Sequence, residues 1–297
     1  MQEYYELGKK EKPQFLNRLA PKVFEWVVSK AKAKKAIASG AILVNGKPVA
    51  YDAKVYPGDK ISFNLNDGAV INRTSAKVFE QKIEVAYEDQ HLAVLNKPGG
   101  LSVNGNQYKT LENTLPFNLQ LSKEPDALDQ MRPLHRLDGP TCGLVMVAKT
   151  ERAQVLMGRQ FQEKKIRKRY QAVIVGKLEP SKGTVDLPVD GKKSLSEYET
   201  VKTGKSLKYG DLSLVHLYPV TGRTHQLRIH MSEMGCPIVG DKFYSKGIEV
   251  LNGKGLMLCS DQLVFSHPIS KKQITVQIDV PNKFNTYMKR EDRRALD

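Results

Sequence analysis

The sequence contains no long apolar run. Nowhere along its 297 residues does it approach the roughly 20 consecutive apolar residues that a membrane-spanning helix requires. The opening residues, Met1-Gln2-Glu3-Tyr4-Tyr5, have neither the basic leader nor the apolar core of a secretory signal. We therefore expect a soluble, cytoplasmic protein without a membrane partner.

Cysteine is scarce, and the usual motifs for metals and nucleotides are missing. The three cysteines, Cys142, Cys236 and Cys259, are far apart and odd in number, which argues against disulfides and against metal-ligand spacing. No His-Glu-x-x-His pair occurs, and on one helix His225 and His230 would point in different directions. Glycine-rich nucleotide-binding motifs are also missing. The sequence therefore predicts no metal site and no cofactor.

Acidic residues are too few to balance the basic ones. Lys and Arg total 47 against 32 Asp and Glu, which leaves a formal net charge of +15. Such an excess favours a polyanionic partner, and nucleic acid fits better than a membrane because no apolar anchor accompanies the charge. The length is enough for about two domains, which we interpret as one small and one large domain.

The small domain is predicted over residues 14–66. Apolar residues recur at helical spacing from Phe15 to Val27, and a strongly basic second helix is predicted over residues 30–39, ended by Gly40. A lysine run of this kind is usually a solvated helix face, but here we predict that it contacts phosphates. The lysines concerned are Lys30, Lys32, Lys34 and Lys35.

A tight turn follows the basic helix. Asn45-Gly46 stands between two apolar runs, residues 41–44 and 47–49, and predicts a β-hairpin because both turn residues accept positive φ. Two helices followed by a hairpin resemble the small α/β RNA-binding domain first known from ribosomal protein S-four. The resemblance implies that the four lysines bind RNA.

A polar linker, predicted over residues 67–81, leads into a large domain over residues 82–290. Short strand-like runs outnumber helices in the large domain. Residues 83–98 indicate two strands around an acidic turn, and helices are predicted over residues 151–165 and 224–234. The large domain is therefore expected to mix short strands with few helices.

One carboxylate has the position of a reacting group. Asp138 lies among basic residues in segment 135–143, directly before the strand-like run 144–148. A rigid strand would hold Asp138 at the edge of a sheet, where catalytic side chains are commonly presented. A single Asp beside an Arg is more often a structural ion pair, so this interpretation depends on two further segments.

The second segment combines basic residues with an aromatic one. Tyr170 follows residues 164–169, of which five are basic. On a strand, the two-residue period places Lys168 and Tyr170 on one face, so a ring able to stack on a base would lie beside a cation able to hold a phosphate. The plain alternative is a core tyrosine in a strand.

The third segment concentrates hydrogen-bond donors at a predicted helix start. Residues 220–231 follow a strand-like run and indicate strand, turn and helix N-terminus, where backbone N–H groups and the helix dipole favour an anion. A phosphate or a carboxylate could bind there, and a basic surface helix is the alternative. The donors are Arg223, His225, Gln226 and Arg228.

In this order, the three segments resemble the motifs of the RluA-like family of RNA pseudouridine synthases. They read His-Arg-Leu-Asp-x-x-Thr-Cys-Gly, Lys-x-Tyr-x-Ala and Gly-Arg-Thr-His-Gln-Leu-Arg-x-His, and residues 97–101 and 235–244 match two further family elements. The resemblance implies an α+β fold: a catalytic domain with a mixed, mainly antiparallel sheet and a central cleft, preceded by the small α/β RNA-binding domain.

The resemblance also implies roles for individual residues. Asp138 matches the family's catalytic aspartate, Tyr170 its active-site tyrosine, and Arg228 the basic partner of the aspartate. Arg136 or His135 is expected to fill the gap left by a flipped-out nucleotide. The predicted substrate-binding residues are His135, Arg136, Lys168, Arg223, His225, Gln226 and Leu227.

The implied reaction converts uridine to pseudouridine in structured RNA, with ribosomal RNA favoured and transfer RNA as the alternative. The glycosidic bond to N1 breaks, the uracil rotates, and the ribose C1′ bonds to C5, so that no redox cofactor is required. The carboxylate could attack or stabilise C1′, or it could remove a neighbouring ribose proton to give a glycal. The sequence leaves both routes open.

Two other classes of protein fit part of the pattern. A non-catalytic RNA-binding or ribosome-assembly protein would explain the charge but not three active-site segments together. A metal-dependent nuclease would need clustered carboxylates to hold Mg²⁺, whereas only Asp138 lies in the candidate site. Activity in excess EDTA would separate a nuclease from a synthase. We expect the synthase to be a monomer.

Overall fold

The computed structural model describes residues 2–24, 27, 30–64, 78–248, 253 and 255–296. Trp26 and most of the predicted linker, residues 67–77, lie outside the described residues. No helix in the described part of the chain is both long and apolar enough to cross a membrane.

The described residues form six helices and fifteen strands. The helices are α1 (Leu16–Val23), α2 (Lys30–Ala38), α3 (Leu111–Asn118), α4 (Glu151–Gln162), α5 (Gln226–Glu233) and α6 (Lys283–Leu296). The strands are β1 (Gln2–Glu6), β2 (Gln14–Phe15), β3 (Ile42–Val44), β4 (Lys54–Val55), β5 (Lys60–Asn64), β6 (Glu84–Glu88), β7 (Leu92–Lys97), β8 (Ala127–Pro133), β9 (Cys142–Thr150), β10 (Arg167–Val175), β11 (Lys182–Asp186), β12 (Leu195–Ser206), β13 (Gly210–Pro219), β14 (Leu258–Ser266) and β15 (Gln273–Gln277).

Residues 2–64 form a sheet and an apolar core of their own. The sheet has the order β1-β5-β3, and side chains from α1, α2 and these strands form one buried cluster. Because β1 pairs with β5, the sheet begins before the predicted boundary at residue 14. The predicted basic helix is α2, and Gly40 follows it at φ +74°, a left-handed conformation that costs glycine little.

The predicted hairpin around Asn45-Gly46 forms only in part. Both residues adopt the expected positive φ, 50° and 73°. Residues 48–50 do not form a strand, however, so the second arm of the predicted hairpin is wrong. β3 pairs instead with β5. Pro48 has no N–H to donate to a ladder, whereas the Asn45 Oδ1 accepts the backbone N–H of Lys60 at the start of β5.

One ten-stranded sheet dominates the rest of the described chain. Its main order is β11-β12-β13-β10-β14-β9-β7-β6, with β15 paired to β14 and β8 paired to β9. The strand pairs are antiparallel except for β9 with β14, which is parallel. The predicted α+β class with a mixed, mainly antiparallel sheet is confirmed.

β9 accounts for the apolar run that follows Asp138. All nine of its residues are buried, because the strand has an apolar core on each face. Val145 and Val147 join one buried cluster. Leu144 and Met146 join another, as the two-residue period of a strand requires. Burial of each such side chain contributes about 1.5–3 kcal/mol, so β9 is a rigid support for the segment before it.

β9 and β14 approach each other closely at Gly143. This residue has a φ of +111°, and a Cβ added to it would lie 2.1 Å from the carbonyl oxygen of Ser260. Glycine is therefore required where the parallel pairing begins. Ser260 also lies opposite Tyr170 in the pairing of β14 with β10. In the sheet, β14 therefore lies between β9, which follows Asp138, and β10, which carries Tyr170.

Two predicted helices are shorter in the structure. α4 begins after Thr150, whose hydroxyl accepts the N–H of Ala153, and it ends at residue 162 rather than 165. Lys164 then adopts a φ of +55°, which turns the chain into β10. α5 spans residues 226–233 rather than 224–234, because His225 takes a left-handed conformation at its N-terminus.

Candidate active site

A cleft of about 580 Å³ is lined by all three segments that the sequence singled out. They are the loop before β9, the α4–β10 turn with β10, and the β13–α5 turn with α5. Asp138 is the sole carboxylate among the described residues that line this cleft. The predicted catalytic and substrate-binding residues all line it: Asp138, Tyr170, Arg228, His135, Arg136, Lys168, Arg223, His225, Gln226 and Leu227.

A buried lysine holds the Asp138 loop in place. The side chain of Lys97 is fully buried. Its Nζ donates to the carbonyl oxygens of Leu101 at 2.7 Å and Gly139 at 3.2 Å. Burial lowers the pKa of Lys97 to about 8, although nearby Cys142 and Asp138 partly offset this effect. Lys97 therefore joins its own loop to the residue next to Asp138.

Arg228 pairs mainly with Asp241, a residue that the sequence analysis did not single out. Nε donates to Oδ2 of Asp241 at 2.7 Å and Nη2 donates to Oδ1 at 2.8 Å. Both side chains are at most 2% exposed. The remaining nitrogen, Nη1, lies 3.5 Å from Oδ2 of Asp138. Arg228 is thus shared between two carboxylates, and the contact to Asp138 is the longer one.

The pKa shifts agree with this arrangement. Burial alone would lower the pKa of Arg228, but the hydrogen bonds and charge of Asp241, with the charge of Asp138, raise it. Burial alone would raise the pKa of Asp241, but Arg228 and the backbone N–H groups of Phe243 and Tyr244 lower it. Arg228 and Asp241 therefore form a stable pair of opposite charges beneath Asp138.

A second contact to Asp138 comes from His225. Its Nε2 lies 3.8 Å from Oδ1 of Asp138, and its Nδ1 lies 2.9 Å from the hydroxyl of Tyr244. His225 has φ +56° and ψ 16°, a left-handed conformation that is uncommon outside glycine and often marks a functional position. Tyr244 therefore fixes one edge of the imidazole ring while the other edge faces the candidate catalytic carboxylate.

Tyr170 is buried in the wall of the cleft. It lies in β10 opposite Leu217 of β13, and 9% of its surface is exposed. Burial, with a smaller effect from the negative charge of Asp138, raises the pKa of its hydroxyl well above the usual range. The phenol is therefore protonated at neutral pH and presents a neutral ring to the cleft.

His135 is fixed in the wall as well. Its Nε2 accepts the backbone N–H of Met146 at 3.0 Å, and its ring lies 5.0 Å from that of Phe161. Burial and the positive charge of Lys168 lower the pKa of His135 to about 3, so the ring is neutral. Of the two residues predicted to fill the gap of a flipped nucleotide, Arg136 is the exposed one and His135 is held by the protein.

Gln226 has no hydrogen-bonding capacity left for a substrate. Its Oε1 accepts from the Thr221 hydroxyl and the Arg223 N–H. Its Nε2 donates to the Leu195 carbonyl oxygen and the Ser196 hydroxyl. Two donors and two acceptor sites are all that a side-chain amide offers. Gln226 thus joins the start of α5 to β12, which favours a positioning role over the predicted substrate contact.

Three further residues predicted to contact substrate differ in exposure. Arg223 is exposed, and its Nε donates to the backbone oxygen of Lys193. Lys168 is half-buried, and burial lowers its pKa. Leu227 is buried in the main apolar cluster. Arg223 and Lys168 offer positive charge to the cleft, whereas Leu227 offers apolar surface.

The lysines predicted to bind RNA lie on α2, outside the cleft. Lys30, Lys34 and Lys35 are exposed, and the side chain of Lys32 lies outside the described residues. The Lys34 ammonium lies 4.6 Å from the centre of the exposed Tyr51 ring. Lys34 and an accessible aromatic ring therefore lie side by side on the surface of the N-terminal unit.

Three residues that shape the cleft were missed from the sequence: Lys97, Asp241 and Tyr244. The first lies in the Lys-Pro-x-Gly-Leu element and the other two in the element that ends at residue 244. Both elements match the family pattern, and that match was the available signal. Within the described residues, no group of three or more His, Cys, Asp or Glu side chains is arranged to hold a metal ion.

Comparison with known proteins identifies the family. The family described as RNA pseudouridylate synthase matches residues 91–233. The dual-specificity RNA pseudouridine synthase RluA of Haemophilus influenzae is 35% identical over 212 residues, which cover 66% of this chain and 92% of that protein. The chain belongs to the RNA pseudouridine synthase family. It is of the RluA type, and it isomerises uridine to pseudouridine in RNA.

One further relative and one solved structure are also similar to this synthase. Ribosomal large subunit pseudouridine synthase C of Rickettsia bellii is 30% identical over 297 residues, which cover 91% of this chain and 94% of that protein. The structure of human RNA pseudouridylate synthase domain containing 4 aligns with a TM-score of 0.56 and 25% identity, covering 71% of this chain and 93% of that chain. The fold of the synthase is therefore that of known pseudouridine synthases.

Proposed function

We propose that this synthase modifies ribosomal RNA, with Asp138 as the reacting carboxylate. The assignment of Asp138 rests on its being the one carboxylate among the described residues that line the cleft. Arg228 lies 3.5 Å from one of its oxygens and His225 lies 3.8 Å from the other. The guanidinium of Arg228 thus places a positive charge beside this carboxylate. Asp138 is 18% exposed, so it remains accessible to a nucleotide in the cleft.

The remaining site residues divide into substrate-contacting and positioning groups. Tyr170 offers its ring to the uracil, and its raised pKa favours stacking or proton donation over the role of a base. Arg228 and His225 orient Asp138. Arg136, exposed at the cleft edge, is the candidate to replace the flipped uridine in the RNA stack.

Asp138 can act by either of two routes. As a nucleophile, it forms a bond to the ribose C1′ while the bond from C1′ to N1 breaks, and the bond to Asp138 breaks again when C5 bonds to C1′. As a base, it removes the ribose C2′ proton while the bond from C1′ to N1 breaks, which leaves a glycal with a double bond between C1′ and C2′, and it returns the proton to C2′ when C5 bonds to C1′. In both routes the C5 proton leaves and N1 gains one, so the reaction is a net isomerisation.

The preference for ribosomal RNA is supported by coverage. The relative named as a large-subunit ribosomal synthase aligns with 91% of this chain, whereas the dual-specificity relative aligns with 66%. An alignment over 91% of the chain includes at least part of the N-terminal unit. We propose that residues 2–64 are a domain of the S-four type that binds RNA through α2. The catalytic domain follows residue 77. We also propose that the enzyme acts in the cytoplasm as a monomer.

Mapping pseudouridine in total RNA tests this proposal. Cells lacking the protein should lose pseudouridine at one or a few positions of large-subunit ribosomal RNA. Wild-type enzyme should restore those positions and Asp138→Asn should not. Loss confined to transfer RNA would refute the ribosomal assignment, and restoration by Asp138→Asn would refute the role of Asp138.

A further inference from the structure

A second groove adjoins the turn between α4 and β10. It has a volume of about 690 Å³ and is bounded by the last turns of α4, the start of β10 and the hairpin of β14 and β15. Alternate residues of the turn face the two cavities: residues 164 and 168 line the catalytic cleft, whereas residues 165 and 167 line the groove. The turn is therefore a ridge with a cavity on either side.

The groove is strongly basic. Its described lining includes one acidic residue, Glu163. Lys165 lies 2.7 Å from Glu163, but both side chains are more than half exposed, so solvent and salt screen the pair. The cations that line the groove are Arg159, Lys165, Arg167 and Lys271.

Arg167 has no structural role that would account for its charge. Its side chain is exposed and has no ion-pair or hydrogen-bond partner among the described residues, although its backbone pairs with β14. Arg169, two positions along the same strand, differs in both respects. Its Nε and Nη2 donate to Oδ2 of the buried Asp261 at 3.0 and 2.6 Å. One arginine of β10 thus stabilises the fold, whereas the other presents its guanidinium to the groove.

The groove is held open by hydrogen bonds between its walls. The Nε2 of Gln160 donates to the backbone oxygen of Ser266 at 2.7 Å, and its Oε1 accepts the N–H of Ser266 at 3.2 Å. Lys271 is exposed on the opposite hairpin, where its Nζ donates to the backbone oxygen of Pro268. α4 is therefore fixed to the end of β14, so the two walls from which the cations project are held together.

The lining indicates which part of an RNA would bind. The aromatic residue of the groove, Phe265, is 2% exposed and cannot stack on a base. Apart from Glu163 and the Ser266 hydroxyl, the polar side chains of the groove are guanidinium, ammonium and amide groups, and contacts from such groups to phosphate and sugar oxygens carry no sequence information. We propose that this groove binds the phosphate backbone of the RNA strand next to the target uridine, so that the strand crosses the turn from the cleft. This inference rests on RNA being the substrate of the cleft.

The test uses the full-length chain with Arg167→Gln and Lys271→Gln combined. The control combines Lys177→Gln and Lys182→Gln, two lysines that are 53% and 75% exposed and line neither cavity. The probes are poly(U), which is long enough to span cleft and groove, and the trinucleotide UpUpU, which has two internucleotide phosphates and is chosen to occupy the cleft alone. Binding of each probe is measured by fluorescence anisotropy across a KCl series.

The groove variant should bind poly(U) more weakly, and its plot of log K against log[KCl] should be shallower by about 1.4, which is about 0.7 for each lost phosphate contact to a single strand. The control should retain the wild-type slope, and UpUpU should bind all three proteins equally. A variant that combines Arg167→Lys with Lys271→Gln keeps the charge at residue 167 and should therefore lose only half as much slope as the groove variant. An unchanged poly(U) slope in the groove variant, or an equal loss for UpUpU, would overturn the proposal.

This outcome is separable from that of the proposed function. Asp138→Asn should lose pseudouridine formation but keep the wild-type salt dependence, because its change lies in the cleft. If Asp138→Asn were active and the groove variant still had a shallow slope, the catalytic assignment alone would fail. If pseudouridine formation followed the proposal and the slope did not change, the groove alone would fail.

Discussion

Arg228 and Asp241 form a buried ion pair with two hydrogen bonds, and Nη1 of Arg228, which takes no part in that pair, faces Asp138. The two contacts measure 2.7 and 2.8 Å, and Nη1 of Arg228 lies 3.5 Å from Asp138. A planar guanidinium held at two points by a carboxylate has a fixed orientation. Asp241 therefore determines where the positive charge beside the catalytic carboxylate lies, although it does not line the cleft itself.

Asp241→Ala should lower both stability and turnover. Arg228 would lose both of its short contacts and keep the longer one to Asp138, and this loss of its main partner should cost about 3–5 kcal/mol in the free energy of unfolding. Without its anchor, the guanidinium would shift relative to Asp138, and a displacement of this kind costs up to about a hundredfold in rate. Urea denaturation and single-turnover rates measure the two effects.

A matched control separates them. Asp126 is also buried and binds Arg152 through both of its oxygens, at 3.1 and 3.2 Å, outside the cleft. Asp126→Ala should lose stability and retain turnover at a temperature where both variants are folded. Equal turnover for the two variants would show that Asp241 has a purely structural role.

Asp138→Asn should abolish pseudouridine formation and leave folding and RNA affinity nearly intact. The amide has the same shape but cannot serve as nucleophile, anion or base. Asp129→Asn is the control, since Asp129 is an exposed residue of β8 that does not line the cleft. Multiple-turnover assays on purified proteins decide the matter, and substantial activity in Asp138→Asn would remove Asp138 from the chemistry.

The sequence predicts those parts of the site that depend on local pattern. The apolar run of residues 144–148 predicts β9. Because consecutive residues of this run are apolar, both faces of the strand must be buried, and β9 has one buried cluster on each face. The catalytic segments could be recognised because each is a short contiguous motif. Their convergence on one cleft followed from the family resemblance and not from any single segment.

Relationships across space could not be predicted in the same way. Asp241 lies thirteen residues after Arg228, and although it belongs to the family element over residues 235–244, no local pattern indicates that it pairs with Arg228. The left-handed conformation of His225 was also missed, because a helix beginning at residue 224 has the same polar and apolar pattern as one beginning at 226. The side-chain amide of Gln226 makes all of its hydrogen bonds only because β12, which lies about 30 residues earlier in the chain, supplies two of the acceptors.

Tyr244→Phe should slow the chemical step without weakening RNA binding. The change removes the hydroxyl that lies 2.9 Å from Nδ1 of His225, so the ring would lose one of its two fixed edges. A lost hydrogen bond of about 1.4 kcal/mol corresponds to about a tenfold reduction in kcat. Tyr87→Phe is the control, because its hydroxyl binds Asp89 outside the cleft. A rise in KM with unchanged kcat would indicate instead that Tyr244 contacts RNA.

Removal of residues 1–66 should weaken RNA binding but leave slow activity on a short RNA that carries the target uridine. The N-terminal unit has its own buried cluster, and the cleft is lined by residues from 134 onwards, so the truncation spares the groups that would perform the chemistry. Full-length enzyme with Lys30, Lys34 and Lys35 changed to Gln should share the loss of affinity. A folded but inert truncated protein at saturating RNA would contradict this division of roles.

Lys97 should make stability depend on pH in the alkaline range. Its pKa is about 8 in the folded protein against 10.5 for an unperturbed lysine, so between these values the unfolded chain binds more protons than the folded one. The free energy of unfolding should therefore rise with pH across this window, by up to about 3 kcal/mol. Below pH 8 the lysine is charged in both states, and its contribution is constant.

The variant Lys97→Met isolates this contribution, since other groups also titrate above pH 8. Urea denaturation of both proteins between pH 7 and 10.5 gives the difference in their free energies of unfolding at each pH. This difference should be constant below pH 8 and should move in favour of the wild-type protein as the buried ammonium loses its proton. Hydrogen bonds from the neutral amine to the oxygens of Leu101 and Gly139 can persist, so the Asp138 loop should remain in place. A difference that stays constant across the whole range would show that folding does not lower the pKa of Lys97.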